Sequence, residues 1–167
     1  MARLFVAVWP PEDVVAELTS LRRKDQRGVR FTPPENWHLT LRFLGESDPD
    51  VVAAALEGAE LPAATVRLGP GVDVIADRAL VIPADGLEGL AAAVTALTAS
   101  IGQAPRKRFM GHLTLARIKP HAAMPPALGA YLTAEFDVEE IALVRSRLHP
   151  EGARYETLAT WPVGGPR

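Results

Sequence analysis

The tetrapeptide His-Leu-Thr-Leu occurs twice in this chain, as His38-Leu-Thr-Leu41 in the first half and as His112-Leu-Thr-Leu115 in the second. Both copies alternate polar and apolar residues, which is the period of a strand: residues i and i+2 share one face, and i+1 and i+3 the other. Each copy therefore puts a histidine beside a threonine on one face and buries two leucines through the other. The fold must supply two equivalent strands, each with one solvated and one packed face.

The flanking segments support two similar lobes. Residues 3–9, Arg3-Leu-Phe-Val-Ala-Val-Trp9, form a continuous apolar run and are predicted to be a buried strand. Pro10 and Pro11 open a helix with Glu12 and Asp13 in its first turn, Val14, Val15, Leu18 and Leu21 on one face, and Arg22-Arg23-Lys24 at its end. A basic, polar loop leads to the first motif strand, residues 37–44, which Gly45 is expected to stop. A helix over 49–60 and strands over 64–68, 72–76 and 79–83 follow, with Asp77-Arg78 as the turn between the last two. A second helix spans 87–101, ended by Gly102 and Pro105. The second motif strand covers 111–116. A proline-bearing loop, a helical turn near 128–132 and two long strands, 136–148 and 154–161, complete the chain. The order strand, helix, motif strand thus occurs in each half. The predicted class is α+β and bilobal: two pseudo-symmetric antiparallel β-sheets with flanking helices around a central cleft. Residues 1–167 are read as one domain of two similar lobes, with 163–167 as a flexible tail.

Composition narrows the chemistry. The chain has no cysteine, which excludes disulfides, a thiolate nucleophile and thiolate metal sites. Hydrophobic residues make up 48% and charged residues 23%, the balance of a globular protein. A net charge of −2 means that bulk attraction does not draw it to nucleic acid, so any such contact is local. No segment has the length of a signal-peptide core or a membrane span, and the expected compartment is the cytoplasm. Neither motif carries a carboxylate two or four residues beyond its histidine, so no metal site is expected; nor is there a phosphate-cradling glycine loop.

Two imidazoles and two hydroxyls facing one cleft are suited to phosphoryl transfer without a metal or any other cofactor. One neutral histidine takes a proton from water, one imidazolium gives a proton to the leaving oxygen, and hydroxyls hold the phosphate oxygens. Such a pair implies a bell-shaped pH–rate profile with both limbs near neutrality.

Paired His-x-Thr-x strands with these flanks resemble the 2H phosphoesterase superfamily, and within it the bacterial and archaeal RNA 2′,3′-cyclic phosphodiesterases, also called 2′-5′ RNA ligases. The resemblance covers nearly the whole chain: the opening Arg3-Leu-Phe-Val-Ala-Val strand, Trp37 to Gly45, Arg108 to Arg117, and the closing Ser146-Arg-Leu and Arg154-Tyr-Glu-Thr-Leu segments. It implies hydrolysis of an RNA 2′,3′-cyclic phosphate to a 2′-phosphomonoester, with His38 as proton donor, His112 as proton acceptor, and Thr40 and Thr114 on the non-bridging oxygens. Arg117 resembles a family position that contacts substrate, although strict alternation places it on the leucine face unless a bulge re-aims it. The family usually has proline before the second motif. Here Gly111 stands there, and it is expected to leave that loop freer.

Further candidates come from the residues themselves. Arg42 keeps the phase of His38 and Thr40 and is a candidate substrate contact. Phe5 and Tyr155 are candidates for stacking a nucleobase. Arg106-Lys107-Arg108 lies beside the second motif, where it can steer an RNA backbone. His121 and His149 are read as surface residues. The expected partners are RNA ends or small cyclic-phosphate nucleotides, with no membrane and no metal, and the chain is read as a monomer. Alternative readings are 2′-5′ RNA ligation by the reverse reaction, hydrolysis of a small cyclic nucleotide, and, in another class, a non-catalytic binder of phosphorylated RNA ends.

Overall fold

The computed structural model describes residues 1–76 and 78–164. Its elements in chain order are β1 (Ala2–Val8), α1 (Glu12–Thr19), β2 (Val29–Phe31), β3 (Leu39–Ser47), α2 (Pro49–Leu56), β4 (Thr65–Leu68), β5 (Asp73–Ile75), β6 (Ala79–Asp85), α3 (Glu88–Leu97), β7 (His112–Ile118), β8 (Ala134–Asp137), β9 (Glu140–His149) and β10 (Gly152–Pro162). A 3₁₀ turn, Pro34–Asn36, leads into β3. The strands run in the order β10-β9-β1-β3-β7-β6-β4-β8, with β2 added to β7 and β5 to β6. The order reads as two lobes of four strands each, related by an approximate two-fold between β3 and β7. All the pairings are antiparallel. The lobes meet edge to edge through a single pair, Leu39 opposite Leu113. The expected bilobal α+β architecture is therefore present, its two sheets joined into one curled path.

β1 lies between β3 and β9 and is buried on both faces, Leu4, Val6 and Val8 in the main core and Phe5 and Ala7 in a cluster on the opposite side, which is why its sequence is continuously apolar. The main core lies on the helix side of the sheet and takes in Leu4, Val6, Leu39, Leu41, Leu113 and Leu115 with Leu18, Leu90 and Val94 of the helices. A smaller cluster, Phe5, Ala7, Ala142 and Val144 with Trp9 and Tyr155 packed on it, covers the other face of the first lobe. No helix among the described residues is long and apolar enough to cross a membrane.

Several local expectations are corrected. The first helix ends at Thr19; Leu21 is still buried, but Arg22, Arg23 and Lys24 lie beyond the last turn. β3 continues past Gly45, whose φ of +74° accommodates a bulge opposite β1 instead of ending the strand. The basic loop contains β2, and no helix forms at 128–132, where Ala130, Tyr131 and Leu132 join the segment after β4 by backbone bonds. The long strand over 136–148 is two strands in different lobes, parted at Val138-Glu139. Of the expected turn at 77–78, Asp77 lies outside the described residues, while β5 and β6 do pair as a hairpin. Of the expected tail, Val163 and Gly164 donate backbone hydrogen bonds to Glu139 and Leu61, and residues 165–167 lie outside the described residues.

Candidate active site

The two motifs are copies in three dimensions as well as in letters. Along residues 38–44 and 112–118 the succession of half-buried, buried and exposed positions is identical. Trp37, only 1% exposed, anchors the start of β3. His38 Nδ1 lies 2.8 Å from the Asn36 carbonyl oxygen, and His112 Nδ1 lies 2.7 Å from that of Met110, in both cases two residues back. A carbonyl only accepts, so each Nδ1 carries the proton and each neutral imidazole keeps its lone pair on Nε2. Thr40 Oγ1 sits 3.0 Å from His38 Nε2 and donates to it. His38, Thr40, His112 and Thr114 all line one cleft of about 400 Å³ between the lobes.

Both motif strands carry a β-bulge at the same place. Ala7 and Val6 of β1 oppose Thr40 and Arg42, leaving Leu41 as the extra residue; Val81 and Leu80 of β6 oppose Thr114 and Ala116, leaving Leu115 as the extra residue. An added residue shifts the alternation by one. The side chains that follow Thr40 and Thr114 on the cleft face are therefore Phe43 and Arg117, not Arg42 and Ala116.

This corrects the expectation for Arg42. It is 3% exposed, and its guanidinium donates to the carbonyls of Thr95, Ile101 and Gln103 and to Thr98 Oγ1 at 2.8–3.1 Å. It caps the carboxyl end of α3 from the helix side of the sheet, where carbonyls without helical partners need donors. Arg117 is exposed on the cleft wall through the bulge.

His38 is packed among aromatic rings: Phe5 at 4.8 Å between centroids, Tyr155 at 5.3 Å and Trp9 at 5.8 Å. Phe5 is 4% exposed and directed onto His38 and Tyr155, so it walls the imidazole and offers no free stacking face; that expectation is corrected. Tyr155 is half-buried on the same cleft. Burial holds the His38 pKa below its usual 6.5, with the His112 and Arg117 charges adding to the effect and the Asn36 carbonyl opposing it. Burial also raises the Tyr155 phenol, against the pull of Arg117 and Arg3.

Several lining residues escape sequence reasoning. Arg3 was legible by alternation from Phe5, whereas Arg30 lies on the unrecognised β2 and faces Arg117 in register. Asn36 donates to the Ala153 carbonyl at 3.0 Å while its own carbonyl holds His38, tying the histidine to β10. Gly111 is not a source of freedom. Its carbonyl accepts from Ala84 N, and a Cβ on it would collide with the Ala84 carbonyl oxygen, so the approach of β7 to β6 requires glycine. Among the described residues, no three His, Cys, Asp or Glu side chains cluster as metal ligands.

The sequence pattern of the 2′-5′ RNA ligase superfamily matches residues 10–150. The chain is 37% identical to the RNA 2′,3′-cyclic phosphodiesterase of Thermus thermophilus, over 98% of this chain and 91% of that protein. A crystal structure of a Thermus thermophilus protein superposes with a TM-score of 0.78 at 34% identity, covering 99% of this chain and 100% of the other. E. coli LigT, crystallised with 3′-AMP, superposes with a TM-score of 0.80 over 98% of this chain and 99% of its own; at 24% identity that likeness concerns the fold alone.

Proposed function

The chain belongs to the 2′-5′ RNA ligase superfamily, and from that premise we propose that it hydrolyses the 2′,3′-cyclic phosphate at an RNA end to a 2′-phosphomonoester, using two histidines and no metal. The observation that carries the reading is the duplicated histidine geometry: two imidazoles with Nδ1 tied to a carbonyl two residues back, both lining one cleft with two threonines and Arg117. Relatives named RNA 2′,3′-cyclic phosphodiesterase support the reaction class.

In this mechanism His112, neutral, takes a proton from water through Nε2 as the water oxygen bonds to phosphorus. The bond from phosphorus to O3′ breaks, and His38, as imidazolium, gives its Nε2 proton to that oxygen. Charge and protons balance: one proton leaves water, one reaches the 3′ hydroxyl, and the phosphate remains on O2′. Thr40 and Thr114 hydroxyls and the Arg117 guanidinium meet the charge that grows on the non-bridging oxygens. Burial by itself favours the neutral form of His38. The bound phosphate anion supplies the countercharge that its imidazolium needs, so His38 is charged when substrate is in place. An imidazolium is a far stronger acid than the 3′ hydroxyl formed, so its proton passes readily to the departing alkoxide.

The test is steady-state kinetics in EDTA. His112→Ala is expected to lower kcat by roughly 10²–10⁴-fold with little change in KM. A non-catalytic binder of phosphorylated RNA ends would show a loss of affinity alone, and activity abolished by EDTA in the wild-type protein would exclude the metal-free mechanism.

A further inference from the structure

A second cavity, of about 750 Å³, opens beside the catalytic cleft, and Thr40, Phe43 and His112 line both. Its origin lies in the register. Beyond Leu39 and Leu113 the two motif strands part: β3 stays with β1, while the start of β7 is drawn to β6 through Pro83 opposite His112 and Ala84 bonded to Gly111. The resulting gap is backed by the outward face of α3, whose Ala92 and Ala96 methyls form its floor with that of Ala99 just beyond the helix, and closed along one side by residues 103–110.

The walls are unusual for open surface. Phe43 is 41% exposed and Met110 62% exposed, and a partly buried Phe109 lines the same cavity. Arg106 and Lys107 stand at the rim, both exposed, and neither forms an ion pair among the described residues. Among the described residues, Glu88 is the one acidic side chain lining the cavity. An apolar floor with an aromatic face takes bases, and unpaired cations at its edge take phosphates. A cyclic mononucleotide has its one phosphate in the histidine cleft, so only a longer single strand has a further base and a further phosphate to offer this cavity and its rim.

The approximate two-fold also shows how the cleft is oriented. Phe43 occupies in the first motif the position that Arg117 occupies in the second, each brought onto the cleft face by its bulge. Arg117 lines the cleft and not the second cavity, whereas Phe43, with Arg3 at 5.1 Å from its ring centroid, lines both and stands where the two meet.

We propose that the α3 cavity holds the base of the penultimate nucleotide, the one 5′ of the nucleotide that bears the cyclic phosphate, and that the phosphodiester joining these two nucleotides passes Arg106 and Lys107. This rests on the cyclic-phosphodiesterase reading, and it makes the preferred substrate the end of a single-stranded RNA. The experiment compares kcat/KM for a dinucleotide ending in 2′,3′-cyclic phosphate with kcat/KM for the cyclic mononucleotide of the same terminal base. The wild-type ratio is expected to be roughly tenfold or more. Ala96→Trp, which fills the cavity from an exposed helix position, is expected to bring the ratio towards one. So is the pair Arg106→Glu and Lys107→Glu, which also flattens the salt dependence measured with the dinucleotide. A wild-type ratio near one, or a ratio unchanged in both variants, would overturn the proposal. Binding of a labelled dinucleotide ending in 2′-phosphate, measured in parallel, separates it from the reading beneath it. Binding that is lost in Ala96→Trp while the wild type turns over neither substrate supports the cavity and removes the hydrolysis. Turnover of the mononucleotide with no preference for the dinucleotide removes the cavity alone.

Discussion

Replacing Arg42 with methionine separates a binding role from a structural one. The guanidinium donates four hydrogen bonds, to the carbonyls of Thr95, Ile101 and Gln103 and to Thr98 Oγ1. Each such bond contributes on the order of 1 kcal/mol net, somewhat more for a charged donor. The cost of keeping the charge out of water, and of leaving its Nε without a partner, offsets part of that. Methionine fills much of the volume but takes the donor from three carbonyls, that of Thr95 in the last turn of α3 and those of Ile101 and Gln103 beyond it. The expected loss is about 2–4 kcal/mol. In a chain of this length each kcal/mol moves Tm by about 2–4 °C, so Tm should fall by roughly 4–16 °C. Thermal unfolding followed by circular dichroism reads that shift, and kcat/KM at 25 °C on a 2′,3′-cyclic nucleotide should stay within about twofold of wild type. An unchanged Tm with a large loss of kcat/KM would refute the reasoning, because it would return Arg42 to the cleft face and remove the bulge from the account.

Two further predictions concern the histidines and their supports. The folded state holds His38 with a pKa below 6.5, so the unfolded chain binds more protons on acidification. The neutral ring's contribution to stability is fully present above pH 6.5, falls as pH drops below it, and levels off under the folded value. Urea midpoints at pH 8, 6.5 and 5 should decline in the wild type more than in His38→Gln; an equal decline in both would contradict the burial argument. Gly111→Ala forces a Cβ against the Ala84 carbonyl. It should cost about 1–3 kcal/mol by overpacking and lower kcat through displacement of His112, while a variant with wild-type Tm and kcat would show that β7 does not need the close approach.

The parts of the fold that the sequence made legible are those in which one residue decides one face. The apolar run of β1, the Ala- and Leu-rich α3 and the two His-Leu-Thr-Leu strands all appear where periodicity places them. The errors begin where the period is interrupted. Leu41 and Leu115 look like any other strand leucines, yet each is the extra residue of a bulge, and everything after them changes face. Arg42 is therefore turned into the core and Phe43 onto the cleft face, and Arg117 reaches the cleft by the route that alternation alone denies it. The break at Val138-Glu139 was hidden for another reason: Phe136, Val138 and Ile141 are all buried and no glycine or proline stands between them, while the strands on either side belong to different lobes. β2 has only three residues and owes its pairing to β7, so no local signal marks it. Gly111 shows the converse error. Its freedom was read from the residue type, and the structure uses only its lack of a side chain.

Two equivalent histidines divide the proton transfers of cyclic phosphate opening in this account. The most direct test is the product formed from a short RNA ending in 2′,3′-cyclic phosphate, in EDTA, by wild type, His38→Ala and His112→Ala. The expected result is a 2′-phosphate end from the wild type and essentially none from either variant. A 3′-phosphate product, or undiminished turnover by either alanine variant, would contradict the account.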